Sequence, residues 1–214
     1  PLEAIKNALY LMQTGAEGDK NSRFLEIARK ETERVSHIIR QMLGFARRPG
    51  EVDWVDVNQL LEETLVLLEK KMRQLRIKIT KSFDDSLPRV KARADQLRQV
   101  FLNLIINAQQ AIEGEGEILI STSRYEQALQ PSIVVQLTDT GVGIAEDDLA
   151  RIFDPFFSTG KKGTGLGLWV TQDIVRQHGG RIEADNRPEG GAQVRVILPA
   201  AVREVSVQPQ RDFA

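Results

Sequence analysis

Three short segments, in a fixed order, constrain this chain more than any other feature: Asn103-Leu-Ile-Ile-Asn107-Ala108, Asp139-Thr-Gly141-Val-Gly143-Ile144 and Gly163-Thr-Gly165-Leu-Gly167-Leu168. Each is ordinary alone. Strand-like and helix-like stretches separate them, so a fold must present all three from regular elements.

The first segment reads as helix. From Asp95 to Ile112 the apolar residues Leu97, Val100, Phe101, Leu104, Ile105, Ala108 and Ile112 recur at helical spacing. Asn103 and Asn107 then share a polar face, roughly 5–6 Å apart. An amide oxygen is a neutral, hard ligand that suits Mg²⁺, an ion that also takes phosphate oxygens and water. Alone, the pair would serve equally as solvent-facing amides or as caps for a loop.

The second segment ends a strand. Residues 132–138, Ser-Ile-Val-Val-Gln-Leu-Thr, are β-branched and apolar and lead into Asp139. A carboxylate there can accept a hydrogen bond from an adenine amino group. Gly141 and Gly143 allow the backbone, up to Ile144, to pass close to a ring. By itself the same stretch is also a tight turn in which Asp139 bonds its own loop. The third segment opens a helix, Leu166–His178, that Gly179-Gly180 stops. Glycines before a helix start expose N–H groups and the positive dipole end, which suits phosphate. The Lys-Ser/Thr ending of a Walker loop is absent, and no strand precedes the segment as a dinucleotide fingerprint requires. In combination the segments point to ATP.

The set resembles the ATP-binding domain of bacterial sensor histidine kinases, within the superfamily that holds gyrase-type ATPases, Hsp90-type chaperones and mismatch-repair ATPases. Asn103–Ala108 is similar to the family's N box, Asp139–Ile144 to its G1 box, Phe153-Asp-Pro-Phe156-Phe157 to its F box and Gly163–Leu168 to its G2 box. The likeness runs from about Val52 to Pro199. It implies Mg²⁺ on Asn107, adenine on Asp139 and a mobile lid over the phosphates between Phe157 and Gly163. The ATP-binding set it implies is Asn103, Asn107, Asp139, Gly141, Gly143, Ile144, Phe156, Lys161, Lys162, Gly163, Thr164, Gly165, Leu166 and Gly167. In the gyrase and chaperone branches a Glu sits where Asn103 stands and acts as base on water. An amide takes no proton at neutral pH, so transfer to another acceptor is expected over hydrolysis.

Upstream of Arg47-Arg48-Pro49-Gly50 the sequence reads as two helices. Leu2, Ile5, Leu9 and Met12 form one stripe, and Gly15–Gly18 breaks it. Phe24, Ala28, Val35, Ile38, Met42 and Phe45 form a second, heptad-like stripe, widened by Leu25, Thr32, Ile39 and Leu43. So broad a face suggests a second copy and a dimeric four-helix bundle, the alternative being a hairpin packed onto the rest of its own chain. The hairpin resembles the dimerisation and phosphoacceptor domain of the same kinases. The expected layout is α+β. A dimerisation hairpin at 1–48 precedes a two-layer α/β sandwich with a mixed sheet at 49–200, and a tail follows at 201–214. Within the sandwich, a helix from an Asn58 N-cap to Gln74 should bury Leu60, Leu61, Leu65, Leu67 and Leu68.

The net charge of −1 gives no electrostatic case for nucleic acid or an anionic membrane surface. The chain has no cysteine and no apolar run near the ~20 residues of a membrane span. A cytoplasmic setting is expected. His37 lies among core-like neighbours with no acid-Asn-Pro context and reads as a surface or boundary residue. His178 reads as a helix C-terminal residue. Trp54 and Trp169 read as core or interface residues, and Phe153, Phe156 and Phe157 as packing residues of the lid. Thr164 is placed to donate to a phosphate oxygen. The opening Pro1-Leu2-Glu3-Ala4-Ile5-Lys6-Asn7 resembles the stretch directly after His-Glu-x-x-Asn in the family, which puts the acceptor His upstream of Pro1. The expected function is a kinase core passing the γ-phosphoryl of Mg·ATP to a His and then to a response regulator Asp. The alternatives are a non-catalytic ATP-binding dimeric regulator of the same fold and an ATPase of the superfamily.

Overall fold

A computed structural model describes residues 2–13, 21–32, 35, 50–125, 131–159 and 164–200. The chain divides into two compact units, one drawn from residues 1–49 with 150–170 and the other from 50–149 with 171–214. In the first, α1 (Leu2–Gln13) and α2 (residues 21–32) are helical, as their stripes predict. Ala8 and Ala28 are buried, but Leu2 and Leu25 are 64% and 57% exposed. Val35 is helical. His37, Ile38, Ile39, Met42, Leu43 and Phe45 lie outside the described residues, as do Gly15–Gly18 and the 201–214 tail.

The second unit is built on a mixed five-stranded sheet of order β2-β4-β5-β7-β6. The strands are β2 (Ile77–Ser82), β4 (Gly116–Tyr125), β5 (Ser132–Asp139), β6 (Arg181–Asn186) and β7 (Ala192–Pro199). Strand β2 runs parallel to β4, and the other neighbours are antiparallel. The central strand, β5, is buried on both faces, which is why Ile133, Val134 and Val135 run without alternation. Two long helices, α3 (Val57–Gln74) and α4 (Ala94–Ala111), pack on each other and on this sheet. Together they bury Leu61, Met72, Leu97, Phe101 and Ile105, all below 3% exposed. Short helix α5 (Glu146–Leu149) and helix α6 (Gly167–Gln177) complete the elements. This is the expected α+β arrangement with a mixed sheet.

The structure corrects several details. Strands β1 (Asp53–Val55) and β3 (Val90–Ala92) form a separate antiparallel pair. Trp54, on β1, is 49% exposed and not a core residue; Val55 is the buried residue of that strand. Helix α3 is capped by Asp56, whose Oδ1 accepts the Gln59 N–H at 3.1 Å. Asn58 instead ties the helix start to the sheet side, donating to the Asp84 carbonyl at 2.9 Å and accepting from Thr122 Oγ1 at 2.9 Å. Leu67 is 66% exposed, since the buried stripe of α3 runs through Leu60, Leu61, Thr64, Leu65, Leu68 and Met72. Asp56→Ala should therefore lower stability by about 1 kcal/mol in urea unfolding. No loss would show that the cap does not hold the helix start.

Candidate nucleotide site

Asp139 ends the central strand, and the chain turns there into the loop Asp139–Ile144. The residue is only 6% exposed. Oδ1 accepts two backbone N–H groups, from Gly141 at 2.8 Å and from Ala192 at 3.3 Å. Oδ2 accepts no hydrogen bond from any described residue, so it is the atom left to meet a donor. Burial pushes the carboxyl above the usual aspartate range, while those two N–H groups and the Arg187 guanidinium pull the other way. Arg187 Nη1 also donates to the Asp139 carbonyl at 3.2 Å.

The loop is pressed onto its surroundings. A Cβ on Gly141 would stand 2.5 Å from the Ala111 carbonyl oxygen, which accepts the Val142 N–H at 3.0 Å. Glycine is required because α4 ends against this loop. Thr140 pairs with Glu117 through its N–H at 3.2 Å and its hydroxyl at 3.0 Å. Gly191, at φ +83°, leaves no room for a side chain, since a Cβ there would lie 2.0 Å from the Asp139 carbonyl oxygen. The β6–β7 turn, Asn186–Ala192, thus braces the loop, although none of the three sequence segments includes it. Its Pro188 and Gly190-Gly191 signal a turn, but nothing local says which loop a turn will touch.

On α4, Asn103 and Asn107 are both half-buried. Asn103 Nδ2 donates to Thr171 Oγ1 at 3.4 Å. The side chain of Asn107 makes no hydrogen bond to any described residue, so its amide oxygen is available to a ligand. That fits a cation held mainly by phosphate oxygens and water. Among the described residues no group of three or more His, Cys, Asp or Glu side chains could hold a metal.

The other segments lie in the first unit. Phe156 adopts φ +66° and is 73% exposed, which corrects its reading as a packing residue. Its N–H donates to the Gly165 carbonyl at 2.9 Å. Phe157 lies under the Arg151 guanidinium, 4.6 Å from the ring centroid. The Thr164 hydroxyl oxygen accepts the Leu166 N–H at 3.3 Å, one residue before α6 begins at Gly167. Leu166 is buried. Lys161, Lys162 and Gly163 lie outside the described residues.

Residues 92–202 match the family described as histidine kinase-, DNA gyrase B- and HSP90-like ATPase. The chain belongs to this family. Among its relatives is AtoS, a signal transduction histidine-protein kinase of Escherichia coli K12, 36% identical over 201 residues, 93% of this chain and 32% of AtoS. ZraS, a sensor histidine kinase of the same strain, is 33% identical over 204 residues, covering 94% of this chain and 43% of ZraS. The chain thus spans about a third to under half the length of these relatives. Among solved structures, the nucleotide-free catalytic domain of histidine kinase ThkA aligns with TM-score 0.63 and 33% identity, over 70% of this chain and 96% of that one. ThkA in complex with response regulator protein TrrA aligns over 94% of this chain and 60% of that one, with TM-score 0.72 and 26% identity.

The raised position of Asp139 sets a sign for pH dependence. The folded protein holds this proton more tightly than the unfolded chain. The stabilisation is therefore full below the ordinary aspartate range and is lost as pH rises through the raised value. At neutral pH the buried charge costs stability, and Asp139→Asn keeps an acceptor for both N–H groups. Its thermal midpoint should equal or exceed that of the parent at neutral pH, and the gap should close on acidification. A variant less stable at neutral pH, by a margin that acid does not change, would contradict this.

Proposed function

We propose that this chain is the ATP-binding core of a two-component sensor histidine kinase, built to hold Mg·ATP for transfer of its γ-phosphoryl group to a histidine. The observation that carries the reading is Asn103. Helix α4 has one carboxylate, Asp95, in its first turn. Where the hydrolysing branches place a Glu, this chain has an amide bound to Thr171. With no base there to take a proton from water, bound ATP waits for a better-placed acceptor.

In this reading Asp139 Oδ2 takes the adenine amino group and selects ATP over GTP, whose base presents a carbonyl there. Gly141, Gly143 and Ile144 line the base. Asn107 holds Mg²⁺, which neutralises phosphate charge when bound. The N–H groups around Gly165, Leu166 and Gly167, with Thr164, Lys161, Lys162 and Gly163, contact the phosphates, and Phe156 flanks them. Phosphoryl transfer asks for positioning and charge neutralisation and little covalent chemistry from the protein. The partner would be a receiver domain, as the ThkA–TrrA complex suggests. The exposed Leu2, Leu9, Tyr10, Leu25 and Ile27 of α1 and α2 favour a homodimer through residues 1–48. Among the described residues no helix is long and apolar enough to cross a membrane.

The full-length protein, given γ-labelled ATP, should take up acid-labile, base-stable phosphate and release inorganic phosphate slowly. Acid-stable label, or rapid phosphate release without an acceptor, would overturn the reading. Asn107→Ala should weaken Mg²⁺-dependent binding of a fluorescent ATP analogue by about tenfold or more, a loss of ~1.4 kcal/mol. Mg²⁺-dependent affinity unchanged in the variant would remove Asn107 from the metal. Light scattering should show a dimer that becomes a monomer when residues 1–48 are deleted, and a monomeric parent at micromolar concentration would contradict the interface.

A further inference from the structure

The loop Asp139–Ile144 is held at its far end by a single side chain that no motif covers. The Asn186 Oδ1 accepts the Ile144 N–H at 2.8 Å, and its Nδ2 donates to the Ile144 carbonyl at 2.5 Å. This pair of bonds is what a neighbouring strand would give Ile144, supplied here by one carboxamide. Asn186 is the last residue of β6 and stands opposite Ala192 in the ladder. Ala192 is the residue whose N–H reaches Asp139 Oδ1. One rung of the sheet, Asn186 with Ala192, therefore grips both ends of the loop.

We propose that Asn186 is a positioning residue for the nucleotide base, fixing the end of the Asp139–Ile144 loop so that Asp139 and the loop backbone meet the base in one geometry. The proposal rests on the reading of this site as an ATP site. The chemistry requires an amide. A carboxylate has no donor and would set a charge against the Ile144 carbonyl, while alanine removes both bonds. Asn186 is solvent-exposed. Water can therefore replace its bonds without leaving a buried orphan, and the role is to order the loop more than to hold the fold together.

The test titrates a fluorescent ATP analogue, with ATP and GTP as competitors, into the 214-residue chain and its variants. Asn186→Ala and the near-isosteric Asn186→Asp should each weaken ATP about tenfold while shifting the thermal midpoint by no more than about 4 °C. Both should shrink the preference for ATP over GTP, a ratio that general loosening of the fold would leave alone. In an Asp139→Asn background, Asn186→Ala should cost less than it does alone, since both changes act on the same base contact. Parent-like ATP affinity and ATP/GTP ratio in either folded variant would overturn the positioning role and leave the site reading intact. Equal losses for ATP and GTP would also overturn it. A parent chain that binds no ATP would overturn both.

Discussion

The structure turns on a carboxylate buried at the end of its central strand. Burying a charge without partners is costly, and Asp139 escapes the full cost because two backbone N–H groups converge on one of its oxygens. Those two donors come from different places. Gly141 is the start of the loop itself, and Ala192 opens β7, the strand paired with β5 along most of its length. The sheet order that puts β7 beside β5 is therefore a condition for the carboxylate to exist in this position. The bonds occupy the first oxygen and leave the second to meet a donor.

In the proposed reading, helix α4 extends that arrangement toward the phosphates. Its buried stripe, with Phe101 and Ile105 fully enclosed, fixes the rotation of the helix. Asn103 and Asn107 then have no choice of side. Neutrality on that side matters more than the shape of the residues. A carboxylate at Asn103 would add a base, while the amide adds a hydrogen bond to Thr171 and takes no proton from water. In the reading proposed above, this one side-chain group separates storage of ATP from its hydrolysis.

Much of this was legible in the sequence, and the illegible part has a common physical cause. The periodicity of α4, the unbroken apolar run of β5 and the glycines beside Asp139 are local signals, and α4, β5 and α6 lie close to where the sequence puts them. Boundary details failed where two residues compete for one job: Asp56 and Asn58 are both good caps, and only the side chain's tertiary partners separate them. Leu67 looked apolar enough for the core, but helix rotation is set by the whole stripe. Asn186 and Gly191 were invisible because their importance comes from a loop far away in sequence, which pairing of β6 with β7 brings into contact. A local reading can see that a turn exists, but the residues it grips are a property of topology.

The two helices bearing the polar segments are also tied to each other, and a histidine does part of the tying. Arg93, the N-cap residue of α4, has a backbone N–H that can only donate, and it points to His178 Nε2 at 3.1 Å. That nitrogen must therefore be the acceptor. The proton then sits on Nδ1, which donates to the Ile174 carbonyl at 2.8 Å. Both ring nitrogens are thus engaged by backbone groups, Nε2 with the Arg93 N–H and Nδ1 with the Ile174 carbonyl. His178, which the sequence reads as a helix C-terminal residue, directly follows the last residue of α6. The bridge also helps to explain how α4 is positioned. It joins the start of α4 to the end of α6, while Asn103 and Thr171 join the same helices nearer their middles. Two ties at different heights restrain sliding as well as rotation, so the polar side of α4 keeps its register against the rest of the unit.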